Sequence, residues 1–289
     1  LAMRNLKKYG LLWLLSAVAL LLLVPGMFHE RGTDVWYTDR VAVIAYHHID
    51  DYTQGDVTIT TTRFRGQLTD LLQRGYHFIS LQQFRDFMAG GQVPPNAVLV
   101  TFDDGYRSFY TNAYPILKEL NIPAVNFVIT KDLEHPDQSL IPSLSRDQIR
   151  FMTREMKDID AQCHSDSLHD RAPDGGPLLT TRLPKDGGTE DLPQFEQRIT
   201  DDTKACVNKL KELYDRPVDA YAYPFGYYDE QSIALLRKAG IRYAFTTASA
   251  LTVRDADPMQ IPRINAGSPF VKENSLNNLI IKSISRKSS

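Results

Sequence analysis

Asp103 and Asp104 stand side by side in Thr101-Phe102-Asp103-Asp104-Gly105-Tyr106, directly after the apolar run Ala97-Val98-Leu99-Val100. Two adjacent ionised carboxylates repel each other, and burying them costs stability unless a cation lies nearby. An acidic pair delivered by a strand end is therefore a candidate for metal binding combined with general-base work. The plainer alternative is a helix N-cap, a common place for Asp. Gly105 would let the chain turn away from the strand. A second cluster, Cys163-His164-Ser165-Asp166-Ser167-Leu168-His169, follows the strand-like Asp158-Ile159-Asp160-Ala161-Gln162. Histidines five apart do not share a helical face, which needs a spacing of three or four. They suit a strand end and the turn after it. Two imidazoles with one carboxylate form a metal-ligand set that leaves positions open for water and substrate.

The elements that must position these groups read as alternating strands and helices. Strand-like segments are Val41–Tyr46, His77–Ser80, Ala97–Phe102, Ala124–Ile129, Ile159–Cys163, Val218–Tyr223, Tyr243–Thr246 and Gln260–Arg263. Between them lie helical faces: Phe64, Leu68, Leu71 and Leu72; Phe109, Ala113, Ile116 and Leu117; Gln148, Phe151 and Met152; Ala205 to Leu213; and Ile233, Leu235 and Leu236. Such alternation predicts an α/β fold with a parallel sheet, and seven or eight units in one domain point to a barrel. His47, Asp103 and Asp104, His164, Phe225 with Gly226, and Arg263 all fall at or just after the C-terminal ends of predicted strands, the face where barrels carry their sites. Asp170–Gln194, with Gly175-Gly176 and Gly187-Gly188, reads as an insertion on that face, either shaping a groove or forming a surface loop.

Composition narrows the function classes. The chain has 289 residues, 43% hydrophobic and 24% charged, with a net charge of −2. These values suit a globular domain and give no basic field for nucleic acid. The N-terminus differs in kind: Arg4, Lys7 and Lys8 precede an apolar run from Gly10 to Val24, and Pro25-Gly26 comes after it. Positive then apolar is the order of an export signal. Counting Tyr9 through Phe28 reaches the roughly 20 residues that span a bilayer. Without a clean small-x-small cleavage site, an uncleaved signal-anchor over residues 1–30 is expected, or else a cleaved signal peptide. The catalytic domain (38–270) would then lie outside the cytoplasm, at the cell surface or secreted, with a tail, 271–289, after it. Cys163 and Cys206 are the two cysteines. Two give no framework pattern, and they are expected as buried small apolar residues, although an exported protein could join them.

Thr101-Phe102-Asp103-Asp104-Gly105-Tyr106, His164 to His169, and Tyr223-Pro224-Phe225-Gly226, in that order, resemble the polysaccharide deacetylases of carbohydrate esterase family 4, with their NodB-homology domain. The resemblance runs from about Val41 to about Gly267. Ile44-Ala45-Tyr46-His47-His48-Ile49 is similar to the subgroup that deacetylates poly-β-1,6-N-acetylglucosamine of biofilm matrix. It implies a distorted (β/α)7 barrel and a GlcNAc polymer as substrate, with peptidoglycan GlcNAc the alternative. A non-catalytic, surface-anchored carbohydrate-binding protein on the same fold is a third reading. It further implies Asp104, His164 and His169 as ligands of a divalent metal (Zn²⁺, with Co²⁺ or Ni²⁺ as alternatives), Asp103 as base, and His47 as the acid that protonates the leaving amine. Strand alternation would turn His48 to the opposite face. The Phe225 N–H would help hold the oxyanion. Two departures stand out: the histidine gap is one residue longer than in most of the family, and Ala222 occupies the position of the family's Arg. Arg263 could substitute by pairing with Asp103, or be an ordinary surface Arg.

Overall fold

The computed structural model describes residues 34–185 and 187–286. The expected signal-anchor, residues 1–30, lies outside them, and the fold is that of the unit beginning at Val35. Among the described residues no helix is long and apolar enough to cross a membrane.

Five of the predicted strands coincide closely with observed ones: β1 (Arg40–Tyr46), β5 (Ala97–Phe102), β6 (Ala124–Ile129), β7 (Ile159–Ser165) and β11 (Tyr243–Phe245). Before β5 come two short paired strands, β2 (His48–Ile49) and β3 (Thr58–Ile59), then α1 (Thr61–Gln73), β4 (His77–Phe78) and α2 (Leu81–Met88). Between β5 and β7 lie α3 (Tyr114–Leu120) and α4 (Arg146–Glu155). The hairpin β8 (Pro184–Lys185) and β9 (Gly188–Thr189) then leads to the long helix α5 (Leu192–Lys211). The chain ends with β10 (Ala220–Ala222), α6 (Glu230–Lys238), β11 (Tyr243–Phe245), β12 (Thr252–Val253), β13 (Ile264–Asn265) and α7 (Ser275–Ile284). Capping boxes start α2 (Ser80 with Gln83), α4 (Ser145 with Gln148) and α5 (Asp191 with Gln194), each satisfying backbone N–H groups that have no intrahelical partner.

The main sheet runs β11-β10-β7-β6-β5-β1, all parallel, with β4 on β5 and with β12 and β13 on the outer edge of β1. It is an α/β half-barrel, and alternation along its strands feeds two cores. Val41, Val43, Ala97, Leu99, Val125, Phe127, Ala220 and Phe245 pack together inside the curl. Ala42, Ile44, Val98, Val100 and Phe102 face outward onto the helices. Because both faces are covered, the strands read as continuous apolar runs.

The last predicted strand is displaced. Gln260–Arg263 is irregular: Ile261 bonds to β11, through Ile261 N to Ala244 O and Thr246 N to Ile261 O, and only then does β13 pair with β1 at Ile44–Ala45. Pro262 has no N–H to give a ladder, so the chain crosses there from one margin of the sheet to the other. The helical face expected to include Phe151 uses Ile149 and Met152 instead, and Phe151 is exposed. Within the expected tail, α7 is docked: Leu276 and Ile280 are fully buried, and Tyr76 Oη donates to Asn277 Oδ1 at 2.8 Å.

Candidate active site

The strand ends of the curled sheet bring the carboxylates and imidazoles together. Asp103 continues the inward parity of Ala97 and Leu99 on β5, and its N–H donates to Tyr46 O at 2.9 Å, which sets His47 beside it. Asp104 then adopts φ +71° and Gly105 φ +68°. This left-handed pair swings the second carboxylate off the strand's alternation, so neighbours in sequence face different tasks. A side chain at Gly105 would press on Val128, with a Cβ 3.0 Å from Cγ1 and 3.2 Å from Cα. Helix follows from Arg107, and among the described residues no backbone N–H donates to either carboxylate side chain, so neither acts as its N-cap. Val128 and Ile129 of β6 pair with Cys163 and Ser165 of β7, leaving His164 as the extra residue of a bulge. Bulges re-aim side chains in this way.

Asp104 Oδ1 lies 3.3 Å from His164 Nε2 and 3.3 Å from His169 Nε2. It is buried and makes no hydrogen bond. His164 Nδ1 lies 2.8 Å from Ala222 O. A carbonyl oxygen only accepts, so Nδ1 carries the hydrogen and Nε2 is the ring nitrogen that faces Asp104. Three lone-pair donors converge on one point, all within 4.8 Å of one another. Tetrahedral ligands about 2.1 Å from zinc lie roughly 3.4 Å apart, so the residues present fit a cation. Burial would lower His164, but the carboxylates of Asp104 and Asp103 and the Ala222 carbonyl raise it overall above its ordinary value. Burial alone would raise the Asp104 carboxyl, but the imidazoles of His164, His47 and His169 hold it well below the usual range. Burial, reinforced by His164, pushes His169 down to about 4, which leaves it neutral and free to donate its lone pair at neutral pH.

Asp103 is tied elsewhere. Arg263 Nη1 and Nη2 donate to its two oxygens, each at 2.7 Å, and Arg263 Nε donates to Thr246 O at 3.0 Å. Both residues are buried, Arg263 being 3% exposed, so Arg263 is not a surface residue. Burial would raise the Asp103 carboxyl; the Arg263 charge and hydrogen bonds, aided by His164 and His47, lower it. His47 Nε2 stands 3.8 Å from Asp103 Oδ2, with its side chain 23% exposed. His48 is not among the residues lining the site; it is buried against Tyr106, with ring centroids 5.4 Å apart.

Around these groups is a cavity of about 200 Å³, lined also by Val57, Tyr223, Phe225, Gly226 and Thr247. Phe225 has φ +57° and is 39% exposed, with its ring 4.4 Å from that of His169. Its N–H makes no hydrogen bond among the described residues. Gly226 comes next at φ +76°, where a Cβ would meet Thr247 Oγ1 at 2.3 Å. Arg171 belongs to no motif in the sequence, yet its guanidinium lies 4.6 Å from the Phe225 ring and 5.9 Å from that of Tyr227. The insertion after His169 therefore reaches the rim of the cavity. A larger cavity of about 550 Å³, lined by Arg150, Lys157 and Arg216 among others, contains none of these carboxylates or imidazoles. Cys163 and Cys206 are joined in a disulfide and fully buried; the burial is as expected, and the pairing is one the sequence leaves open. Their 43-residue separation gave no spacing signal.

The profile of a family described as polysaccharide deacetylase matches residues 90–244. A poly-β-1,6-N-acetyl-D-glucosamine N-deacetylase of Staphylococcus epidermidis is 29% identical over 207 residues, covering 72% of this chain and 67% of the relative. A protein of the same description from Staphylococcus aureus is 24% identical over 207 residues, with the same coverage. Among solved structures, a de-N-acetylase of Aggregatibacter actinomycetemcomitans superposes with a TM-score of 0.74 at 25% identity, covering 84% of this chain and 100% of that one. IcaB of Ammonifex degensii gives 0.71 at 27% identity, covering 83% and 97%.

Proposed function

This chain belongs to the polysaccharide deacetylase family, hydrolases of amide C–N bonds, and from that premise we propose that it is a metal-dependent N-deacetylase of poly-β-1,6-N-acetylglucosamine. The observation that carries the metal is the buried Asp104 Oδ1, without a hydrogen bond and 3.3 Å from two imidazole nitrogens. We assign Asp104, His164 and His169 as its ligands and Zn²⁺ as the ion, with Co²⁺ or Ni²⁺ able to occupy the same donor set. A divalent ion held there supplies Lewis acidity and lowers the pKa of water. The rest is the work of the chain. Asp103, outside the ligand set and kept ionised by Arg263, accepts the proton of the attacking water. The Phe225 N–H, held outward by its left-handed backbone, donates to the developing oxyanion, a contact worth ~3 kcal/mol in such sites. His47, across from Asp103, delivers a proton to the departing amine. Arg263 replaces the side chain that Ala222 lacks, arriving from the segment that links β11 to β1.

The substrate assignment is supported by the relatives' descriptions and by His47 at the end of β1. We read the curled sheet as a distorted (β/α)7 barrel, and the basic-then-apolar N-terminus as an anchor that places this unit outside the cytoplasm. The test is turnover of acetylated β-1,6 and β-1,4 glucosamine oligomers, read by amine release, before and after chelation and metal restoration. The proposal expects β-1,6 turnover that chelator abolishes and metal restores. Preference for β-1,4 oligomers would instead favour peptidoglycan, and binding without turnover a non-catalytic lectin-like role.

A further inference from the structure

The segment from His164 to His169 must hold two imidazoles on one point, although only His164 of the two belongs to a strand. What fixes the remainder comes from α5. Asp202, Cys206 and Lys209 succeed one another at spacings of four and three, so they share a helical face. Each grips the ligand-bearing segment. Cys206 is bonded to Cys163, the residue before His164. Asp202 uses both carboxylate oxygens on consecutive backbone groups, accepting from Asp166 N at 2.9 Å and Ser167 N at 2.6 Å. Lys209 Nζ donates to Asp166 Oδ1 at 2.7 Å, and Thr130 Oγ1 donates to the same oxygen at 2.6 Å. Lys131 N closes the turn from β6 by donating to Asp166 O at 3.2 Å. None of these groups reaches the cavity that holds the reacting atoms.

We infer that α5 is a clamp that pre-sets the two metal-ligating histidines, with Asp202 positioning the turn before His169 and the Cys163–Cys206 bridge positioning His164. This rests on the metal-site reading under the proposed function. Orienting partners behind metal ligands typically change affinity by ~10–100-fold when removed, and a bidentate acceptor of two backbone N–H groups acts on the ligand through the chain.

The experiment compares wild type, Asp202→Ala, Asp202→Asn, the Cys163→Ala/Cys206→Ala double variant, and Asp201→Ala, an exposed neighbour on the same helix. Zn²⁺ and Co²⁺ affinities are measured by competition with a chelator. The Co²⁺ ligand-field spectrum, kcat and KM at saturating Zn²⁺, and the unfolding midpoint of the metal-free proteins are measured alongside. The clamp predicts ~10–100-fold weaker binding and an altered Co²⁺ spectrum for Asp202→Ala. It also predicts a fall in kcat with KM little changed, partial rescue in Asp202→Asn, a weaker-binding double variant and no effect of Asp201→Ala. Wild-type affinity and spectrum in Asp202→Ala would overturn it, as would losses that track only a lowered folding midpoint without rescue by Asn. A wild-type protein that binds neither ion would instead overturn the metal reading, and the clamp with it.

Discussion

At the residue scale, the site separates two neighbouring carboxylates by giving each different partners. Asp103 has Arg263; Asp104 has two lone-pair donors and an orphaned oxygen. The motifs that carry this division are contiguous in sequence, which is why they can be read there. The Arg263 contact is not contiguous, since it depends on where the chain crosses from β11 to β1. Arg263→Met leaves a buried carboxylate unpaired and is expected to cost about 3–5 kcal/mol at neutral pH. The sign with pH comes from the Asp103 carboxyl lying below its ordinary value of 3.8. The pair's contribution is present above that value and is lost as pH falls through the folded-state value. Urea titrations of the two proteins should therefore show a stability gap that is wide at pH 7 and narrows in acid. A gap that widened in acid would contradict the pairing. For His47, a proton donated to the leaving group matters for an amide and little for an activated aryl acetate. His47→Ala should lose ~10²–10⁴-fold in amide turnover while sparing the ester. Equal losses would make His47 a substrate-positioning residue. His48, buried against Tyr106, should affect folding stability and leave the substrate preference unchanged.

At the element scale, β1, β5 and β6 were legible because strands covered on both faces are unbroken apolar runs. The expected strand at Gln260–Arg263 failed because Pro262 interrupts the ladder, and pairing resumes two residues later. The disulfide was not legible for a different reason: contact between β7 and α5 is a tertiary distance that composition does not encode. The turn after β5 is the element on which the site depends most. At Gly105, a left-handed backbone and Val128 at 3.0 Å both oppose a side chain. Gly105→Ala is expected to destabilise by at least ~1–2 kcal/mol for the backbone conformation alone. It should also shift Asp104 away from the imidazoles. A denaturation midpoint and metal affinity both equal to wild type would show that the turn is not under this constraint.

At the scale of the whole molecule, the half-barrel gathers groups from β1, β5, β7, the segment after β10 and the crossing before β13 onto one end of the sheet. Spacing in the sequence singled out the carboxylates and imidazoles that line one cavity. Only the curl of the sheet determines which of them meet; the sequence places the insertion on that face, but not its Arg171 beside the Phe225 and Tyr227 rings. The central claim is that adjacent carboxylates divide metal binding from proton transfer. Its most direct test is the metal content and β-1,6 oligomer turnover of Asp103→Asn and Asp104→Ala, purified side by side. The account predicts that Asp103→Asn retains a full equivalent of metal and loses ~10²–10⁴-fold in turnover, whereas Asp104→Ala loses both metal and turnover. Metal retained by Asp104→Ala and lost by Asp103→Asn would contradict it, because the two carboxylates would then have the opposite roles.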